Sequence, residues 1–471
     1  MGLADNFPAR IQRPRLRDPR VRGPRKREFQ HLPRTDTPFD EALARARAGE
    51  RLSVADGVAL ITTGADRPGV DQARKERVIE LADQRRKHVA GDDVTFVANM
   101  NLNLTTACTV GCLFCNFKDS AHLFEKGAKT AHDGFTRTVE ESHALTEEGV
   151  RRGIYEICSV SGLHPALVLD EEHRTLLEKN PVNYKPPRAY DKDPGTYVSQ
   201  LKAMKVHGVH LHSMTPEEAY HAKRGTDWTY ADVYRRLKAA GLDSVPGTAA
   251  EILVDEVRSA ICPGKIKTAE WVKGMEGAAE AGLPMTATIM YGHVENAMHR
   301  VMHLDVVRDL QDRTGNITEF VPLKFIHPDT PLFQLGLVDG SSSAEEDELM
   351  MAVSRLYLDN IANIQVSWVK YGDEFALHLL NCGGNDFMGT LLSEEITQRA
   401  GGEHGTFRSF ADYVRMIRSI GRTPVERSTD YRLKRVVDPV PGRLPGPMLG
   451  PCADGTPLEN FEKQAALSGR T

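Results

Sequence analysis

Three of the seven cysteines in this chain fall within eight positions of one stretch, Asn99-Met-Asn-Leu-Asn-Leu-Thr-Thr-Ala-Cys108-Thr-Val-Gly-Cys112-Leu-Phe-Cys115-Asn-Phe117. Thiolates this close repel one another unless a cation gathers them, so the spacing predicts a metal or iron–sulfur site. A structural zinc site would need a fourth ligand, and no second Cys-x2-Cys or His pair follows at the spacing of a zinc finger or ribbon. An iron–sulfur cubane held by three cysteines has one iron open for a substrate, which favours catalysis. A structural zinc or an electron-carrying cluster remains the alternative.

The composition is that of an ordinary soluble protein. Of the 471 residues, 40% are hydrophobic and 27% are charged, and the formal net charge of −5 gives no basic excess that would indicate nucleic-acid binding. No apolar run approaches the roughly 18–20 residues of a membrane span, and the N-terminus has no apolar signal core. The odd number of cysteines fits a reducing compartment. We therefore expect a cytoplasmic protein with no membrane contact.

The two ends of the chain differ in composition from its middle. Residues 1–36 are rich in Arg and Pro, and prolines at that density forbid a helix, which predicts a disordered tail. A contact with an acidic partner or nucleic acid is the alternative for this tail. Residues 37–93 follow helical periodicity and predict three helices. Residues 433–471 begin with many prolines and glycines, which predicts a second disordered tail.

Between residues 94 and 432 the chain repeats strand, loop and helix. Eight such units predict an α/β fold, a closed parallel (β/α)8 TIM-type barrel with a C-terminal helix, whose active site lies at the C-terminal ends of its strands. One connection, residues 174–196, is long and broken by prolines, which predicts either a lid or binding segment or a passive insertion. The candidate strands are Val94–Leu104, Ile154–Ser159, Val209–Ser213, Ser244–Pro246, Met285–Tyr291, Glu319–Lys324, Asn363–Trp368 and Leu379–Asn381.

The pattern Cys108-x3-Cys112-x2-Cys115, with the aromatic Phe114 before the last cysteine, resembles the cluster loop of the radical S-adenosylmethionine (SAM) enzymes. This resemblance implies a [4Fe–4S] cluster whose open iron is chelated by the amino and carboxylate groups of SAM. It also implies that the reduced cluster splits SAM into methionine and a 5′-deoxyadenosyl radical. That chemistry belongs to the cofactors, while the protein supplies aim and shielding.

Further motifs narrow the resemblance to one enzyme family. Over about residues 40–432 the chain is similar to the family of the FO synthase second subunit, aminofutalosine synthase and dehypoxanthine futalosine cyclase, and it looks most like the FO synthase branch. The motifs are Ser159-Val-Ser-Gly-Leu-His-Pro165, Pro246-Gly-Thr-Ala-Ala-Glu251, Tyr291-Gly-His-Val-Glu295, Glu319-Phe-Val-Pro-Leu-Lys-Phe-Ile-His-Pro328, Gln365-Val-Ser-Trp-Val-Lys370 and Gly383-Gly-Asn-Asp-Phe-Met-Gly-Thr390.

The FO synthase branch implies a particular reaction. L-Tyrosine is cleaved between Cα and Cβ after hydrogen abstraction, and its 4-hydroxybenzyl group joins C5 of 5-amino-6-(D-ribitylamino)uracil. The product leads to the deazaflavin FO of coenzyme F420. The resemblance also implies a low-potential electron donor, ferredoxin or flavodoxin, and the first FO synthase subunit as a possible partner.

Site residues follow from the motifs. Phe114, Ser161, Gly162 and Glu251 are expected to contact SAM, although a strand-end glutamate is often a salt-bridge partner. His293 is the candidate catalytic residue because the unperturbed pKa of histidine is close to neutrality, with a structural histidine as the alternative. The candidate contacts for uracil or ribityl groups are His164, His327, Asn385 and Asp386.

One departure from the family pattern keeps a second function open. Ser161 stands where the family usually has the first glycine of a pair. Together with the long connection at 174–196 and the two tails, it motivates a paralogous radical SAM enzyme that forms a C–C bond with another acceptor, as aminofutalosine synthase does. A non-catalytic iron–sulfur or zinc protein is a further alternative.

Overall fold

The fold is taken from a computed structural model that describes residues 37–63, 71–129, 132–179, 189–394, 396–432 and 434–437. The predicted tail at 1–36 and residues 438–471 of the second predicted tail lie outside the described residues. Among the residues described, no helix has the length and apolar character needed to cross a membrane.

Three helices precede the barrel, as the periodicity of residues 37–93 predicts. They are α1 (Phe39–Ala48), α2 (Val54–Ile61) and α3 (Gln72–Ala90). Ser53 starts α2 with a capping box, because its hydroxyl accepts from the backbone N–H of Asp56 while the Asp56 carboxylate accepts from the N–H of Ser53. The buried face of α2 packs against the helices that cover one side of the barrel.

The strands are short and are distributed along the rest of the chain. They are β1 (Asp93–Val97), β2 (Asn99–Asn101), β3 (Ala107–Cys108), β4 (Asp119–Ser120), β5 (Glu156–Ser159), β6 (His210–Ser213), β7 (Met285–Tyr291), β8 (Ile317–Lys324), β9 (Asn363–Ile364), β10 (Asp386–Gly389), β11 (Thr423–Arg427) and β12 (Lys434–Val436).

Helices alternate with these strands, and a 3-10 turn spans Ala121–Phe124. They are α4 (Val139–Arg151), α5 (Glu171–Lys179), α6 (Tyr197–Met204), α7 (Pro216–Ala222), α8 (Tyr230–Ala239), α9 (Asp255–Ile261), α10 (Thr268–Glu280), α11 (Ala297–Thr314), α12 (Pro331–Gln334), α13 (Ala344–Tyr357), α14 (Trp368–Tyr371), α15 (Asp373–Leu379), α16 (Ile396–Arg399) and α17 (Phe410–Ser419).

The parallel strands close into a barrel. β2 pairs with β5 and β5 with β6, and parallel bridges through residues 244–245 connect β6 to β7. β7, β8 and β9 continue the ring, and a bridge between Gln365 and Asp386 leads to β10, which pairs with β1. Counting β1 and β2 as one strand and residues 244–245 as another, the ring has eight members. The predicted α/β barrel is confirmed.

Three details differ from the sequence expectation. The predicted strand Leu379–Asn381 is the end of α15 and the turn after it, and the barrel closes instead with β10. Residues 174–179 of the predicted long loop belong to helix α5, while 180–188 lie outside the described residues. The predicted strand ending at Trp368 stops at Ile364, since Trp368 begins α14.

The wall of the barrel contains a ninth strand that the sequence pattern does not predict. β11 pairs in parallel with Asp93–Phe96 of β1 and antiparallel with β12. β12 lies beyond the predicted end of the barrel at residue 432, so this part of the predicted disordered tail at 433–471 is a strand. The Tyr155 hydroxyl, just before β5, donates to the carbonyl of Arg427, so β11 sits between β1 and β5 at the N-terminal end of the barrel. The C-terminal segment therefore closes the bottom of the barrel.

Candidate active site

A cavity of about 370 Å³ runs along the inside of the barrel and into the loops that follow the strands. All three cysteines of the predicted cluster motif line it, and so do Phe114, Ser161, Gly162 and Glu251. The other predicted site residues are not among those that line it, namely His164, His293, His327, Asn385 and Asp386. The fold thus places the predicted cofactor residues around one cavity, whereas the predicted catalytic and substrate-binding residues are not among the residues that line it.

The cysteine loop is fixed at both ends by backbone hydrogen bonds. β3 ends at Cys108, whose Sγ accepts from the N–H of Val110 at 3.4 Å. Further along, the N–H of Leu113 donates to the carbonyl of Ile261 at 2.8 Å, which ties the loop to the end of α9. The bond from Leu113 joins backbone atoms only, so it holds this part of the loop in place without using a thiol.

Burial makes Cys112 and Cys115 poor thiolates when no cation is bound. It raises the pKa of Cys112, although the positive charge of Lys265 opposes this, and it raises the pKa of Cys115 against hydrogen bonds from the N–H groups of Lys118 and Phe117. A bound cation reverses this preference because it favours the deprotonated sulfur. Burial raises the pKa of Cys262 as well, so the loop is distinguished as a ligand set by the position of its three thiols on one cavity wall.

The spread of the three sulfurs fits a cluster better than a single ion. A tetrahedral zinc with Zn–S bonds of about 2.3 Å holds its sulfurs about 3.8 Å apart. Among the described residues, a group with ligand atoms all within 4.8 Å of one another occurs at Glu348, His378 and Cys382 on the outer helices, and not at the three loop cysteines. Cys262 is buried behind the loop and does not line the cavity. Three spread thiols on a cavity wall thus fit a [4Fe–4S] cluster with an open iron.

Gly162 brings the loop after β5 against the backbone that leads to Cys108. Its N–H donates to the carbonyl of Thr105 at 2.9 Å, and a Cβ at this position would lie 2.4 Å from the carbonyl oxygen of Ala107. Only glycine permits this approach. The cluster loop and the wall after β5 therefore pack as one unit.

Ser161 is occupied by backbone contacts. Its hydroxyl accepts from the N–H of Leu104 at 2.7 Å, and its own N–H donates to Oε1 of Glu218 at 3.2 Å. Glu218 is buried, and burial raises its pKa to about 7. The serine found where the family usually has glycine thus fastens the strand ahead of the cluster loop.

Glu251 and Lys265 form a buried ion pair beside the cysteines. Lys265 Nζ donates to Glu251 Oε1 at 2.5 Å and lies 5.6 Å from the centre of the Phe114 ring. Burial lowers the pKa of Lys265, but the charges of Glu251, Cys112 and Glu217 raise it further, so the lysine stays protonated. The backbone of Glu251 has φ 47°, a strained left-handed conformation that is typical of functional sites. Sequence reasoning missed Lys265 because a lone lysine after a Pro-Gly turn carries no signal.

His293 is held by its own turn. Its Nε2 lies 3.0 Å from the carbonyl of Met290, and its Nδ1 lies 2.8 Å from the N–H of Val294 and 3.0 Å from a carboxylate oxygen of Glu295. Arg300 completes the group through a 2.8 Å bond to Glu295. This buried network shapes the loop after β7, and His293 is not among the residues that line the cavity, so its catalytic role stays a prediction.

The two other predicted histidines also lie off the cavity wall. His164 is buried against the ring of Tyr190 at 4.5 Å, and burial lowers its pKa to about 4. His327 packs near Phe333 at 4.8 Å, and partial burial lowers its pKa. Both rings therefore stay neutral in the folded protein near pH 7.

Asn385 and Asp386 hold the barrel together. Asn385 Oδ1 accepts from Arg355 at 2.5 Å and from the N–H of Ile364 at 2.9 Å. Asp386 accepts from Arg427 at 2.6 and 3.1 Å and from the Thr95 hydroxyl at 2.6 Å. These side chains join β10 to its neighbours instead of reaching into the cavity.

The N-terminal end of the cavity is lined by polar residues that sequence reasoning missed. We call this set the barrel floor. It comprises Asn99, Glu156, His212, Glu319, Gln365, Arg427 and Thr429. Sequence reasoning missed them because none of these residues is unusual in its own segment. Arg427 lies in β11, which follows the helix that the sequence pattern indicates as the last element of the barrel domain.

Comparison with known proteins agrees with this geometry. The Radical SAM superfamily model matches residues 102–307, and the model for the CofH/MqnC C-terminal region matches residues 314–440. The barrel and its three-cysteine loop therefore define a radical SAM protein. Two relatives named 5-amino-6-(D-ribitylamino)uracil–L-tyrosine 4-hydroxyphenyl transferase are 63% and 64% identical, from Haloarcula marismortui and Halobacterium salinarum, over 92% of this chain and 96% and 95% of theirs. The chain belongs to the family of these transferases.

A solved structure agrees on the fold. Methylornithine synthase is 17% identical with a TM-score of 0.57, over 81% of this chain and 97% of that one. The radical SAM fold carries a [4Fe–4S] cluster and SAM, so the predicted class, barrel and cofactors are confirmed.

Proposed function

We propose that this chain transfers the 4-hydroxybenzyl group of L-tyrosine to 5-amino-6-(D-ribitylamino)uracil in the biosynthesis of the deazaflavin FO and coenzyme F420. The observation that carries the proposal is the identity of 63% or more, over nearly the full length of both chains, with relatives that bear this activity in their names. Family membership supports a radical SAM reaction, and the cysteine-lined cavity supplies a place for it.

The chain's own residues have separate tasks. When bound, the reduced [4Fe–4S] cluster supplies the electron that cleaves SAM. Cys108, Cys112 and Cys115 would hold this cluster, and Lys265 keeps a positive charge beside Cys112 that favours its thiolate. Gly162 fixes the distance between the cluster loop and the wall after β5.

The cavity wall also shields the reaction. Val321, Leu323 and Leu391 contribute apolar side chains to this wall and would limit the access of water during the reaction. Exclusion of water protects reactive intermediates from side reactions. The roles predicted for the three histidines and for Asn385 and Asp386 stay predictions, and the proposal does not depend on them, since these residues are not among those that line the cavity.

Partners and location belong to the same proposal. A ferredoxin or flavodoxin would supply the low-potential electron, and the first FO synthase subunit is proposed as a further partner. A cytoplasmic location is supported by the thiols, since all six cysteines of the described residues are free and a reducing compartment keeps them so.

The test is anaerobic turnover of the iron-reconstituted protein with dithionite, SAM, L-tyrosine and 5-amino-6-(D-ribitylamino)uracil, followed by mass spectrometry. We expect a 4-hydroxybenzyl–aminouracil adduct together with 5′-deoxyadenosine. 5′-Deoxyadenosine without the adduct would keep the radical chemistry and overturn the substrate assignment, in favour of a paralogue with another acceptor. No cleavage of SAM by iron-loaded protein would overturn the enzyme itself.

A further inference from the structure

The barrel floor is a network of buried carboxylates around one guanidinium. Arg427 donates to Asp386 at 2.6 and 3.1 Å and to Glu319 Oε2 at 3.2 Å. Glu319 Oε2 also accepts from Gln365 at 3.0 Å and from the Tyr431 hydroxyl. The guanidinium is thus directed at protein carboxylates and is not free to bind an anionic ligand.

A second carboxylate lies across the same floor. Glu156 accepts from the Asn99 amide at 3.0 Å and from the hydroxyl of Thr429. The neighbouring ring of His212 is neutral, because burial lowers its pKa to about 4, and its Nδ1 contacts the Ser244 hydroxyl at 2.7 Å. The floor therefore holds more acidic groups than basic ones and is rich in hydrogen-bond acceptors.

Polar groups continue upward from the floor along two strands. Asn101 follows Asn99 by two residues and Ser367 follows Gln365 by two, so each pair faces the same side of an extended chain. Among the described residues, Asn101 Oδ1 and Ser367 Oγ are buried on the wall of this cavity without a hydrogen-bond partner. Buried polar atoms are rarely left unpaired in folded proteins, so these two atoms point to a polar ligand.

The charge of the floor distinguishes between the two organic substrates. The carboxylate of L-tyrosine would lie beside Glu156, where like charges in a buried site repel, and beside Glu319, whose pKa burial raises to about 7. A neutral polyol avoids that repulsion, and its hydroxyls donate to carboxylate oxygens and accept from amides and hydroxyls. Higher on the cavity wall, Lys324 Nζ donates to the carboxylate of Asp347 at 2.7 Å, whereas Lys370 Nζ donates to the Thr397 hydroxyl at 2.8 Å, so a substrate carboxylate would meet positive charge at Lys370 instead.

We propose that the barrel floor, with Asn101 and Ser367 above it, binds the ribityl chain of the acceptor and thereby selects a polyol-bearing pyrimidine. This inference rests on the proposed function. The acceptor then lies at the closed end of the barrel, and tyrosine lies between it and the cysteine loop.

The test combines two variants with a shortened acceptor. Ser367→Ala removes a hydroxyl that has no protein partner among the described residues, and Glu319→Gln replaces a floor carboxyl group by an amide. Gln84→Leu, at an exposed position on α3, is the matched control. The ligands are 5-amino-6-(D-ribitylamino)uracil and the analogue with ethyl in place of ribityl, and binding is measured by calorimetry alongside KM values for both substrates.

We expect the wild type to bind the ribityl ligand at least about 100-fold more tightly than the ethyl analogue, since several buried hydrogen bonds are lost together. Each cavity variant should weaken ribityl binding by roughly 3- to 10-fold and leave ethyl binding and the KM for tyrosine within about twofold. Equal binding of the two ligands by the wild type, or a raised KM for tyrosine with an unchanged ribityl preference, would overturn the inference. If Glu319→Gln fails to fold, Ser367→Ala and the wild-type comparison decide.

The two proposals fail in different ways. Adduct formation by the wild type without any ribityl preference would retain the transferase and reject the floor assignment. Absence of the adduct in wild-type turnover would reject the transferase, whatever the floor binds.

Discussion

Replacing Gly162 with alanine tests the contact between the wall after β5 and the cluster loop. The new Cβ would lie 2.4 Å from the carbonyl oxygen of Ala107 and 2.9 Å from its carbonyl carbon, whereas ordinary contacts begin at 3.4 Å. The obstacle is backbone and cannot rotate away. One of the two segments must therefore move by about 1 Å, at a cost of about 1–3 kcal/mol of unfolding free energy, which is the usual penalty for overpacking.

The displacement acts directly on a cluster ligand, because Ala107 precedes Cys108. Binding constellations need their groups held within about 0.5 Å, so a shift of this size should reduce cluster retention as well as stability. We expect Gly162→Ala to retain less than about half of the wild-type iron after anaerobic reconstitution, and to unfold a few degrees lower in the apo form. Iron and sulfide assays and thermal unfolding measure the two effects.

A neighbouring glycine provides the matched control. The Cβ of Gly264→Ala would lie 3.6 Å from Val110 Cγ1, an ordinary contact with the same cluster loop. This variant should bind iron and unfold as the wild type does. Full iron content and unchanged unfolding in Gly162→Ala would refute the close-packing argument.

Three further predictions follow from buried charges and thiols. Burial raises the pKa of Glu218 from 4.5 to about 7, so its contribution to stability is complete below pH 4.5 and is lost as the pH rises through 7. Glu218→Gln should therefore remove up to about 3 kcal/mol of the pH dependence of the unfolding free energy, measured in unfolding titrations at several pH values. An unchanged dependence on pH would contradict the shift. Arg427→Met leaves the buried carboxylate of Asp386 without its cation and should cost about 3–5 kcal/mol in denaturant unfolding, where a loss below about 1 kcal/mol would show that the pair is dispensable. Cys115→Ala should abolish cluster binding while Cys262→Ala keeps it, as measured by iron per chain, and equal losses would make Cys262 a fourth ligand.

The cluster loop was predictable because its ligands are close in sequence. Three thiols within eight residues must meet in any fold, so spacing alone indicated the site. Gly162 and Glu251 were found in a similar way, through motifs at the ends of strands. Residues in such motifs are close in sequence, so they can be identified even when the boundaries of the surrounding helices and strands are predicted inaccurately.

The barrel floor was not predictable by the same reasoning. Glu156, Glu319 and Arg427 come from three distant parts of the chain, and their proximity depends on barrel closure and on the insertion of β11. Each reads in sequence as a common charged residue. A single sequence does not show which charges share one interior.

The incorrect last strand has a related cause. Leu379 and Leu380 are apolar and suggested a strand, but they lie at the end of α15, where they pack into the core. The actual strand, β10, begins with Asp386, whose carboxylate is compensated by Arg427. A strand that faces a polar interior loses the apolar alternation by which strands are found.

The insertion of β11 also affects the order of events during synthesis. The ribosome completes Cys108, Cys112 and Cys115 long before it reaches Arg427, yet the bottom of the barrel exists only once β11 pairs with β1. A nascent chain that ends before β11 therefore contains every cluster ligand, but its barrel lacks the strand that closes the N-terminal end. A chain truncated before this strand would keep all three metal-binding thiols but lack Arg427 and Thr429, so its barrel floor would be incomplete while the cluster ligands are already present.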